Sequence, residues 1–174
     1  MAGRVHGTDA DAVSRIIEEW HRERPDLDPS PIEVLGRLHR SFLLYQAQTN
    51  RPVAAAGLSL AGFDVLAALR RSGEPYRLTA GELAATSLVS SAGVTLRLDR
   101  LEGEGLIVRE RDTKDRRVVH CRLTPAGLQL IDRLFAEHLD NERRMLAALK
   151  PKERTQLAAL LQKLERSLAD AQDH

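Results

Sequence analysis

Of 174 residues, one is cysteine, one tryptophan, three phenylalanine and two tyrosine. A lone Cys121 excludes an intrachain disulfide and any CxxC metal or redox pair. With aromatics at 3%, the core must be built from Leu, Val, Ile and Ala. No apolar run approaches the ~20 residues that span a bilayer, and "MAGRVHGTDADAV" lacks the apolar stretch of a signal peptide. A cytoplasmic protein is expected. The six histidines fall in no HExxH or HxxxH spacing, so no metal site is expected. There is no nucleophile–base constellation and no phosphate loop, so neither catalytic residues nor a cofactor is expected. Net charge is only +1, which by its sum does not announce a nucleic-acid binder. The distribution of charge decides that question.

What is present is helical periodicity, in a length suited to one domain over residues 1–174. Val13, Ile16, Ile17 and Trp20 fall at i, i+3, i+4, i+7, predicting an extra N-terminal helix over 8–24 with Thr8 or Asp9 as its cap. Pro25 ends it. "SPIE" from Ser30 is a capping box with proline at the first helical position. It opens a helix over 30–52 whose apolar face is Val34, Leu35, Leu38, Phe42 and Tyr45. A third helix follows Ser59, with Leu60, Phe63, Leu66 and Leu69 inward. Thr79 and Glu82 form another capping box. Ser90 can cap the next helix, whose buried stripe is Val94, Leu98 and Leu101, with Gly105 as its left-handed stop. "LIVRE" and "VVHCRL", separated by "RDTKDRR", read as a β-hairpin. Thr124-Pro125 starts a long helix that Lys150-Pro151 interrupts. The final helix carries Leu157, Leu160, Leu161, Leu164 and Leu168. So wide a leucine stripe at a chain end suits a second subunit.

Two short helices and a charged hairpin over 59–123 make a winged helix-turn-helix, so the predicted class is mainly α with a small β wing. The leucine stripe makes 125–174 a candidate for dimerisation. From Gly105 to Arg122, six Lys/Arg face three acids, a local balance of +3 that the whole-chain sum conceals. On the outward side of the second short helix, Ser90 and Ser91 let backbone approach phosphate. Thr95, Leu96 and Arg100 are placed to reach base edges. In the hairpin turn Arg116 and Arg117 are the minor-groove candidates, and Asp115, two residues before Arg117, can brace its guanidinium. Three other charges stand out. Asp64 has only apolar neighbours at ±3 and ±4 on its helix, Arg97 lies within the recognition helix, and Arg109 lies in the first wing strand.

"LTAGELAATSLVSSAGVTLRLDRLEGEGLIVRERDTKDRRVVHCRLTPAG" resembles the reader of MarR-type regulators, most specifically in "DRRVVHCRLT". The resemblance implies a homodimer, with 30–52 and 125–174 as its dimerisation helices, whose two winged helices read a palindromic double-stranded DNA operator. The Trp-bearing extra helix followed by "RPDLDPSP" is similar to the urate-responsive branch of that family. The resemblance implies an effector site from Trp20, Asp64, Arg97 and Arg109. Trp20 would be a flat wall, Arg109 a planar cation for an anion such as urate, and an Asp64–Arg97 pair the transmission to the recognition helix. One position departs from the branch: Leu96 stands where Asn is usual, which alters the expected operator. Open alternatives are a MarR-type regulator responding to phenolic acids or antibiotics, one with no effector, a redox sensor using Cys121, and an enzyme. No membrane partner is expected.

Overall fold

The computed structural model describes residues 11–86 and 94–171. They fall into two compact units that meet within a helix, one ending at Gln48 and the other beginning at Thr49.

The first unit is a helical hairpin. Helix α1 (Ala12–Glu23) is capped by Asp11, whose carboxylate accepts the Ser14 N–H at 2.8 Å. The cap expected at Thr8 or Asp9 lies outside the described residues, and the helix begins later than the predicted residue 8. Asp11 has a second role that favours this start: it takes Arg37 of the following helix at 2.9 Å. The apolar stripe of α1 buries Val13 and Ile17. At Gly36 a side chain would meet Val13 and Ile32 at 3.2 Å, so the glycine lets the two helices approach. Helix α2 (Pro31–Ala55) starts at the expected proline. Ser30 turns its hydroxyl to Asp28, which also accepts the Ser30 N–H. This is an Asx-type turn where sequence pattern suggested a capping box with Glu33. Most of the predicted apolar face of α2 is exposed within the chain: Val34, Leu35, Phe42 and Tyr45 all remain accessible.

Helix α2 runs three residues past Pro52, where the sequence predicts its end. A proline removes one helical hydrogen bond. Thr49 and Val53, at 1% and 2% exposure, are buried beside it, and that packing carries the helix through.

The second unit is built around α3 (Leu60–Arg71), in which every residue from Gly62 to Leu69 is buried. The core assembles Val53, Leu58, Phe63, Val65, Leu66 and Leu69 with Leu83, Leu98, Leu101, Ile107, Leu123, Ile131 and Leu134. Strand β1 (Arg77–Thr79) precedes α4 (Ala80–Thr86) and was not predicted. The Thr79–Glu82 capping box is formed, with the Thr79 N–H on Glu82 at 2.7 Å and the Glu82 N–H on the Thr79 hydroxyl at 3.2 Å. Helix α5 is described over Val94–Gly103. Strands β2 (Ile107–Arg111) and β3 (Val119–Leu123) form the hairpin. The antiparallel sheet has the order β1-β3-β2.

Gly105 lies at φ 70°. Its N–H reaches Glu102 O and the Leu106 N–H reaches Leu101 O, both at 2.9 Å, the paired bonds of a Schellman stop. Helix α6 (Pro125–Met145) begins at Thr124, whose hydroxyl donates to Gly105 O at 2.7 Å and accepts the Gly127 N–H at 3.0 Å. A Cβ at Gly127 would sit 2.0 Å from Leu106 O, so only glycine allows α6 to start against the base of the hairpin. Helix α7 (Pro151–Asp170) buries none of its residues within the chain.

Candidate nucleic-acid interface

Helix α5 turns Val94, Leu98 and Leu101 into the core. That leaves Thr95, Leu96 and Asp99 outward, with Leu96 at 74% exposure. Ser90 and Ser91 lie outside the described residues. Arg100 also points out, but its guanidinium is engaged: Nε donates to Glu104 at 2.8 Å and Nη2 to Gly57 O at 3.0 Å. It ties α5 to the turn between α2 and α3.

The hairpin tip is built by two aspartates. Asp112 Oδ1 accepts the N–H groups of Lys114 (2.8 Å) and Asp115 (3.1 Å), while Oδ2 faces His120 Nε2 at 3.1 Å. These backbone donors hold the Asp112 carboxyl below the ordinary carboxylate range. Asp115 takes both Nε (3.1 Å) and Nη2 (3.0 Å) of Arg117, and also the Arg117 N–H at 3.0 Å. The Arg117 guanidinium holds the Asp115 carboxyl low. The outcome is a guanidinium fixed in direction yet 90% exposed. Arg111, Lys114 and Arg116 are exposed around it. Nearer the base, Arg122 pairs with Glu110 at 2.5 Å, and this partner pulls the Glu110 carboxyl down.

The four suspected switch residues divide between the units. Trp20, 46% exposed, belongs to the first. It lines a recess of about 220 Å³ with Leu27, Asp28, Pro29, Pro31 and Ile32. Asp64, Arg97 and Arg109 belong to the second. Asp64 is buried on α3 at 8% exposure. Arg97 lines a recess of about 200 Å³ between α3 and α5, with Leu58, Gly62, Leu96 and Arg100 among its walls. Arg109 joins strand β2 to α5. Its Nη1 lies 2.6 Å from Asp99 and 3.0 Å from Glu102, and its backbone N–H donates to Glu102 at 3.0 Å. Sequence reasoning did not single out Asp99 and Glu102. Their i, i+3 spacing on α5 was the available signal, since it puts both carboxylates on one side of the helix.

Cys121 is 1% exposed, and burial pushes its thiol up against the opposing pull of Arg109. A redox sensor needs an accessible, acidified thiol, and Cys121 meets neither condition.

Helix pair and wing on one small sheet define a winged helix-turn-helix DNA-binding protein. The MarR family model matches residues 56–118, and the chain belongs to this family. It is 39% identical to the HTH-type transcriptional regulator PecS of Dickeya dadantii (strain 3937) over 158 residues, 91% of this chain and 95% of that protein. It is 33% identical to the uncharacterised HTH-type transcriptional regulator YkoM of Bacillus subtilis (strain 168), over 71% of this chain and 79% of that one. Among solved structures, BpsR of Bordetella bronchiseptica, whose DNA binding is regulated by 6-hydroxynicotinic acid, aligns with a TM-score of 0.68 at 26% identity. That alignment covers 76% of this chain and 92% of BpsR. AbsC, a MarR family transcriptional regulator from Streptomyces coelicolor, shares the fold at a TM-score of 0.71 and 24% identity, over 83% of this chain and 97% of its own. The chain is thus a MarR-family transcriptional regulator and not an enzyme. Regulators of this family bind DNA, act as dimers and bind small-molecule ligands. Among the described residues, no single helix is long and apolar enough to cross a membrane.

Proposed function

We propose that this protein is a homodimeric repressor that reads a palindromic operator through α5 and the wing, and that a small planar anion such as urate releases it. The observation that carries the DNA half is Arg117. A guanidinium held by a carboxylate fork yet almost wholly exposed suits insertion into a narrow minor groove. Arg116 stands beside it, and Thr95 and Leu96 supply the major-groove contacts, Leu96 to a thymine methyl. Arg100 would add a base contact on leaving Glu104.

The effector half is supported by residue types and by a relative. Trp20 offers a half-exposed indole wall, Arg109 a planar cation, and Asp64 and Arg97 lie on the packed helices α3 and α5. BpsR, 26% identical, has its DNA binding regulated by 6-hydroxynicotinic acid, itself a planar heteroaromatic acid.

The test is a mobility shift with the intergenic DNA upstream of the gene, titrated with urate, 6-hydroxynicotinate and a phenolic acid. Retarded DNA that is freed by one of these anions is the expected result. DNA binding that no anion weakens removes the effector half. Trp20→Phe should leave DNA affinity near wild type while raising the anion concentration needed for release. An unchanged release curve removes Trp20 from the site.

A further inference from the structure

Thr95, Leu96 and Asp99 share the outward side of α5, opposite the buried Val94, Leu98 and Leu101. Asp99 is therefore a carboxylate, 53% exposed, on the surface that would approach a polyanion. Glu102, one turn on and 39% exposed, adds a second. Carboxylates facing phosphates oppose binding unless a cation covers them.

Arg109 stands against both. Glu102 is held twice by the strand, through the Arg109 N–H on Oε1 and the guanidinium on Oε2, each at 3.0 Å. Asp99 is held differently: among the described residues it meets Arg109 alone, at 2.6 Å. Glu102 would thus stay docked if the guanidinium moved, whereas Asp99 would be left bare.

We propose that Arg109 is the charge mask of the recognition helix, neutralising Asp99 toward DNA. An anionic effector that draws the guanidinium to itself re-exposes Asp99 and so lowers DNA affinity by charge alone. This rests on the reading of α5 and the wing as the DNA interface. It makes Arg109 and Asp99 affinity-setting residues in the absence of any ligand, and Glu102 the residue that positions Arg109.

The experiment measures full-length wild type, Asp99→Asn, Arg109→Gln and the double variant on the upstream intergenic duplex by fluorescence anisotropy. Salt is varied from 50 to 200 mM, and each variant's Tm is recorded. Asp99→Asn should bind more tightly than wild type. Its log–log salt slope should steepen by about 0.9, which makes its loss of affinity across that salt range about threefold larger. Arg109→Gln should bind more weakly, and the double variant should recover most of that loss. Asp99→Asn that weakens binding with a lowered Tm overturns the mask and makes the pair a structural brace. So does a double variant no better than Arg109→Gln. With urate added, Asp99→Asn should respond less than wild type, and an equal response overturns the route from effector to release. A wild type that does not bind this DNA fails the parent reading instead, which the ligand-free wild-type curve alone reveals.

Discussion

Arg117 is the residue at which charge and direction are both set. Asp115 lies only two positions away, so the fork forms locally and was legible from spacing. Arg117→Ala should weaken DNA binding with or without ligand and flatten the salt slope by about 0.9. Its Tm should stay near wild type, because so exposed a side chain packs against little. An unchanged affinity removes the wing tip from the interface. The tip also has a predictable pH range. Asp112 and Asp115 are held below the ordinary carboxylate value of about 3.9. Groups with a depressed folded pKa contribute above the unfolded value and lose that contribution as pH falls through the folded one. The tip should therefore stay braced from neutral pH down to about 4 and open only in stronger acid. The Arg117 Nε–H resonance, followed by NMR across pH 2–8, reports this directly. Arg109 was less legible. The family resemblance suggested it as a ligand cation, but its carboxylate partners depend on which side of α5 strand β2 crosses, and that is a tertiary fact.

Several elements were read well where their signal is local, although the capping box expected at Ser30 gave way to a turn on Asp28. The α4 capping box, the Gly105 stop and the Thr124 start all depend on bonds between near neighbours, and all are present. Two features depended on distant partners and were missed. Strand β1 is three residues with no alternation to detect, and it exists because Leu78 pairs with Cys121 across to β3. The continuation of α2 beyond Pro52 reflects burial of Thr49 and Val53, which outweighs a local breaker. The joint at α6 gives a prediction at this scale. Gly127→Ala forces a methyl onto Leu106 O and should cost about 1–3 kcal/mol, seen as a lower urea midpoint. Far-UV circular dichroism should keep its helical signal, since the substitution strains a junction and no helix interior.

At the scale of the molecule, two helices leave apolar side chains exposed within the chain. Leu157, Leu160, Leu161 and Leu168 of α7 are accessible, as are Phe42, Leu43 and Leu44 of α2. Patches of this kind mark association surfaces. The sequence pattern gave the stripes but not their partner, because a periodic apolar face reads alike whether its cover is the same chain or a second copy. Leu160→Lys should weaken self-association by roughly 1.5–3 kcal/mol per copy, counted twice across a two-fold interface. Sedimentation equilibrium should show a concentration-dependent shift toward monomer. A variant that stays fully dimeric takes α7 out of the interface.

The contact between Gly127 and Leu106 O also has a mechanical meaning. Leu106 O accepts the Thr124 N–H, and the first turn of α6 rests directly on it. The base of the wing and the start of α6 are therefore packed directly together, as the two arms of a lever would be. Five residues of strand extend the tip roughly 17 Å from that pivot. A tilt of α6 by about 5° would swing Arg117 by about 1.5 Å, half the length of a hydrogen bond. Close packing at one glycine would thus turn a small helix rotation into a displacement of the Arg117 guanidinium.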